Sequence, residues 1–157
     1  MTQTRLTRRG FSRLLAGASA AALAACSKPT PGPKTIKLGR DVCEHCNMIV
    51  SELRYAAQSW DPKRGRARVY DDIGCLITYV TLNGEIDDPG APLWVADGSV
   101  TANNGWLDAR AASYRDGFQT PMGHGFAAAP AGVWPIGFTA MTAAVRKKAL
   151  CEPTKAT

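Results

Sequence analysis

The chain has 157 residues, 45% of them hydrophobic and 20% charged, which suits one ordinary globular domain and excludes an intrinsically disordered chain. Its net charge of +6 is unevenly spread: Arg5, Arg8, Arg9 and Arg13 lie in the first 25 residues with no acidic residue, and the other 15 basic side chains face 13 acidic ones. That near-balance leaves no clustered basic face, so nucleic acid is excluded as a partner.

Thr7-Arg8-Arg9-Gly10-Phe11 precedes an apolar run from Leu14 to Ala25. The run is about 12 residues long, short of the roughly 20 that a membrane-spanning helix needs. Paired arginines before such a run look like a twin-arginine export signal. Leu23-Ala24-Ala25-Cys26 resembles the lipobox of bacterial lipoproteins, which makes Cys26 the lipidated first residue of the mature chain. An ordinary export signal with an incidental cysteine is the alternative, and both readings export the protein. Residues 1–25 are therefore expected to be an export signal and 26–35 a lipidated tether, with the body on the periplasmic side of the cell envelope. Ser27 after the cysteine points to the outer membrane. Pro29, Pro31 and Pro33 give the tether an extended composition that lifts the domain off the membrane.

In Cys43-Glu44-His45-Cys46-Asn47-Met48, two thiols and a thioether fall within six residues, on a segment that Gly39, Arg40 and Asp41 mark as a loop. Tyr55–Trp60 and Arg66–Tyr70 read as strands joined by the turn Asp61-Pro62-Lys63-Arg64-Gly65. A helix follows, capped by Asp71 or Asp72, with Ile73, Leu76, Ile77 and Val80 at helical spacing, Cys75 riding on it, and Asn83-Gly84 as its stop. Leu93–Ala96 is a third strand. In the second half, Ala111–Tyr114 and Phe126–Ala129 read as strands and Ile136–Leu150 as a helix whose Arg146-Lys147-Lys148 suits the helix dipole. Between those strands lies Thr120-Pro121-Met122-Gly123-His124-Gly125, where two glycines let the backbone carry a thioether and an imidazole close to a ligand.

Soft sulfur donors in this density suit Cu(I). The residue types also admit a disulfide among Cys43, Cys46, Cys75 and Cys151, a redox couple at Cys43 and Cys46, and a structural zinc site of Cys43, Cys46, Cys75 and His124. Zinc would leave the thioethers of Met48 and Met122 idle. A thiol hydrolase built on Cys46 or Cys75 with His124 and Asp72 lacks the local signature of such enzymes. Capping is the better account of Asp71-Asp72.

Cys-x-x-Cys-x-Met, Tyr70-Asp71-Asp72-Ile73-Gly74-Cys75 and Pro121-Met122-Gly123-His124-Gly125-Phe126-Ala127-Ala128, in that order behind a lipobox, resemble the NosL family. These are the copper-binding accessory lipoproteins of nitrous oxide reductase maturation. The resemblance covers about residues 36 to 145. It implies a non-catalytic Cu(I) chaperone that works with an ABC-type membrane complex to load the copper centres of nitrous oxide reductase. It also implies an α+β fold of two small ββαβ-type units packed together, with halves at about 36–100 and 101–150, similar to the organomercurial lyase domain. Carried over by position, it places Cys46, Met48 and Met122 on the metal, with Cys43 and His124 as further donors, all within a metal-binding domain at 36–157. Cys151 has no role in the family pattern.

Overall fold

The computed structural model describes residues 29–100 and 105–151, so the expected export signal and the expected lipidation site Cys26, with Ser27, lie outside the described residues. In chain order the elements are β1 (Ala57–Asp61), β2 (Arg66–Tyr70), α1 (Ile73–Leu82), β3 (Leu93–Ala96), β4 (Trp106–Asp108), β5 (Ser113–Arg115), β6 (Ala127–Ala129), β7 (Ile136–Gly137) and α2 (Phe138–Cys151), with one 3-10 turn, Leu53–Tyr55, ahead of β1. The strands form two antiparallel sheets, ordered β2-β1-β3-β4 and β6-β5-β7. Among the described residues no helix is long and apolar enough to cross a membrane.

The hairpin forms where the turn chemistry demands it. Asp61 folds its carboxylate back onto the backbone N–H groups of Lys63 (3.1 Å) and Arg64 (3.2 Å), and Gly65 takes the left-handed conformation that closes the turn. β1 and β2 then pair from Ala57↔Tyr70 to Asp61↔Arg66. Behind them, α1 buries Ile73, Gly74, Cys75, Leu76, Ile77 and Val80, so it is enclosed on nearly every side. The first unit therefore shows the expected ββαβ order, extended by β4. That strand has three residues, too few to register as a period in the sequence.

The second unit differs from the expected order: it runs β5, β6, β7, α2. Ile136 and Gly137, expected to begin the last helix, instead pair with Tyr114 and Ser113. A β-branched residue and a glycine are weak helix formers, and a vacant edge of β5 competes for them. The two units share one continuous core that runs from Cys43 and Tyr70 through Leu76 and Val95 to Tyr114, Met141 and Val145. A parallel bridge between Asp97 and Ala128 joins the sheets, reinforced by Gly98 N–H to the Ala128 carbonyl at 2.7 Å. Gly98 keeps that approach close: a Cβ would stand 3.1 Å from the Arg54 carbonyl oxygen and 3.2 Å from the Ala127 methyl group, so its neighbours would have to give by a few tenths of an ångström.

The described part of the proline-rich stretch, expected to be an extended tether that lifts the domain off the membrane, touches the body at Pro29 and Lys34. Gln58, fully buried on β1, holds the Lys34 backbone by two reciprocal hydrogen bonds of 2.9 Å. Ile36 is buried with Val50, Ala56 and Val69, and Lys34 pairs with Asp41 at 3.2 Å. Pro29 covers Gly65 so closely that a Cβ on the glycine would sit 2.8 Å from the proline ring. Gln58→Leu strands two backbone groups of this strap, at a cost of about 1–3 kcal/mol. Chemical denaturation should show that loss, together with faster amide exchange at Lys34.

Candidate metal centre

The sulfur motif is built on a tight loop. Val42 and Ile49 pair as an antiparallel bridge, Cys43 N–H donates to the Met48 carbonyl at 2.8 Å, and Asn47 N–H returns to the Cys43 carbonyl at 3.0 Å with Asn47 in the left-handed region. Asparagine tolerates that conformation better than other non-glycine residues. Alternation along the bridge turns Val42 and Ile49 to solvent and drives Cys43 and Val50 inward, where neither has accessible surface. The loop is fixed to β2 by Glu44, whose N–H donates to the Val69 carbonyl at 2.8 Å and whose carboxylate meets Arg66 at 3.1 Å.

Cys75 arrives from the other side, on the first turn of α1. Asp72, fully buried, caps that helix as expected: its Oδ1 accepts from Gly74 N–H at 2.8 Å. Its Oδ2 accepts from Thr120 Oγ1 at 2.5 Å and from Met122 N–H at 3.2 Å. One carboxylate thus ties the helix that carries Cys75 to the loop that carries Met122 and His124. Gly74 lets the loop close, since a Cβ there would fall 2.0 Å from the His124 ring. Lys148 of α2 donates to the Gly123 carbonyl and secures the loop from its far side.

The result is a group of three sulfurs. Cys43, Cys46 and Cys75 have their Sγ atoms within 4.8 Å of one another, all three are free thiols, and Cys43 and Cys75 are buried while Cys46 reaches the surface. Sequence reasoning placed Cys75 on the helix and in the zinc alternative but not in the leading ligand set. Its only signal was a cysteine immediately after an N-capped Asp-Ile-Gly, which sets its place on the first turn and not its partners. His124 stands outside the three-sulfur group. Met48 touches it through the backbone, its N–H donating to Cys46 sulfur, while its side chain is 53% exposed. Met122 is 36% exposed on the docked loop.

The three thiols do not ionise alike. The Cys75 thiol donates to Cys43 sulfur and pulls the Cys43 pKa well below the ordinary thiol range; burial opposes this, and backbone N–H groups of Cys46, Asp71 and His45 add to it. Cys75 is pushed up, first by giving its hydrogen bond to Cys43 and then by burial. Cys46 is raised mainly by burial, with the neighbouring Cys43 sulfur adding to the shift. Of the three, Cys43 is thus the one whose thiolate the cluster favours, while Cys46 and Cys75 are held toward the thiol form.

Such an arrangement defines a class: a small two-sheet α+β domain with a soft-donor cluster where the motif loop meets a helix N-terminus. Among solved structures, the crystal structure of the copper chaperone NosL from Shewanella denitrificans is similar to this chain with a TM-score of 0.55 at 13% sequence identity, covering 76% of this chain and 89% of that one. The domain therefore has the NosL fold. No protein-family model and no curated protein matches the chain by sequence.

Two outcomes follow from this geometry. Ultraviolet titration of the reduced protein should reveal one thiolate forming well below the ordinary thiol range, and Cys43→Ser should abolish it. The sign carries over to stability: a group whose pKa is lowered by folding stabilises the fold above its unfolded pKa and loses that contribution as pH falls through the folded one. Gly74→Ala should destabilise the domain by about 1–3 kcal/mol in thermal denaturation, because the methyl group displaces the His124 ring and overpacks the closure.

Proposed function

We propose that the protein is a membrane-tethered, non-catalytic carrier of Cu(I). The observation that carries this reading is the three-thiol cluster seated in the fold of a copper chaperone. Thiolates and thioethers prefer Cu(I) to the harder divalent ions. Cys46, the thiol that reaches the surface, gives up its proton on binding to supply the anionic ligand, and Met48 and Met122 supply neutral ones from the exposed rim, with Cys43 and His124 as further donors. Thioethers bind weakly enough to exchange their ion, as a carrier requires.

On this reading Cys26 carries the lipid, the body works on the periplasmic side of the envelope, on the outer membrane, and copper passes through an ABC-type membrane complex to the copper centres of nitrous oxide reductase. The ββαβ order of the first unit supports a likeness to the organomercurial lyase domain for that unit alone.

Competition of the reduced full chain against a Cu(I)-binding chromophore tests the assignment. Cys46→Ser should weaken Cu(I) binding at least about tenfold, the least that even outer-shell changes cost at metal sites. Met48→Ala combined with Met122→Ala should slow the handover of copper to the chromophore. Copper retention no better than that of a variant lacking Cys43, Cys46 and Cys75 would remove the carrier reading.

A further inference from the structure

Exchange at the rim leaves the buried Cys75 thiol without a task and the buried Cys43 thiol with only a supplementary one. Cys43 and Cys75 are shielded from solvent, come from different elements, and converge on the one thiol that is not shielded. A single buried cysteine is an ordinary small core residue. Three sulfurs from a loop and a helix turn, all within 4.8 Å, make a donor set with one open side. No carboxylate or imidazole belongs to that group, so hard cations find no matching donor in it.

We propose that Cys43, Cys46 and Cys75 form a second, inner position for a soft monovalent d10 cation, and that it shares Cys46 with the rim position of Cys46, Met48 and Met122. The inference rests on the carrier reading and deepens it. The rim, with two neutral thioethers in contact with water, loads and unloads the ion. The inner position, with thiolates alone and two of its three donors out of reach of solvent, retains it. Passage between them exchanges the two thioethers for the Cys43 and Cys75 sulfurs while Cys46 stays bound. The thiol protons leave to solvent as the inner donors bind, and the ion keeps its oxidation state. Asp72 brings the two positions together, since it holds the helix turn of Cys75 and the loop of Met122 by the same carboxylate.

The test uses the full chain, reduced and loaded with one equivalent of Cu(I) alone. X-ray absorption of the wild type should show copper surrounded by short thiolate scatterers from three sulfurs. Cys75→Ser should reduce that number and speed release to a chelator at least about tenfold, with Cys75→Ala as a second variant that introduces no buried hydroxyl. Circular dichroism of each variant confirms its fold. The inner position is overturned if the wild type shows one short thiolate with longer thioether scatterers and both Cys75 variants release copper at the wild-type rate; the carrier reading then stands. A wild type that retains no Cu(I) overturns both.

Discussion

The structure turns on one buried carboxylate. Asp72 has no accessible surface, and each of its oxygens serves a different part of the chain: one caps α1 and the other receives the Thr120 hydroxyl and the Met122 N–H. A buried carboxylate is costly unless its lone pairs are satisfied, and here three donors satisfy them. Because those donors come from residues some 50 positions apart in sequence, desolvating Asp72 and closing the second half over the first are one event. The three sulfurs all belong to the first half, and the second half brings the Met122 and His124 loop to them through that carboxylate.

Adjacent to it, Asp71 does the same for the other side of the motif. Its Oδ1 accepts from the Ser51 N–H at 2.8 Å, which anchors the exit of the cysteine loop, and its own N–H donates to Cys43 sulfur. The Asp71-Asp72 pair thus distributes its two side chains between the two loops that carry soft donors. Between those loops, the cysteine sulfurs are left to compete for protons among themselves. That competition singles out Cys43, the member that collects hydrogen bonds from Cys75 and from the backbone, as the first to ionise.

Much of the first unit was legible in the sequence because its signals are local. The Asp61–Gly65 turn, the N-cap at Asp72, the apolar spacing of Ile73, Leu76, Ile77 and Val80, and the Asn83-Gly84 stop each specify a backbone state within a few residues. The second unit was less legible because its strands are two or three residues long and are fixed by partners, as Ile136 is by Tyr114. At the site, the sulfur motif and the Met122–His124 segment were visible as compositions. The convergence of Cys75 on Cys43 was not, since it depends on how α1 packs against the loop. Sequence spacing relates residues on one element, and this pair spans two.

The strap along β1 changes what the proposed lipid anchor would permit. With a lipid at Cys26, as proposed, only Ser27 and Lys28 stand between the anchor and Pro29, which lies close against the hairpin turn at Gly65. The three Cα-to-Cα steps from Cys26 to Pro29 span at most about 11 Å. On the proposed reading, a leash that short would not let the domain roam; it would confine the domain to a thin layer of solution beside the bilayer. Within such a layer, encounters with other proteins of the same membrane become nearly two-dimensional. Weak contacts then suffice for transfer, because tethering raises the effective concentration that a free carrier would have to reach by abundance.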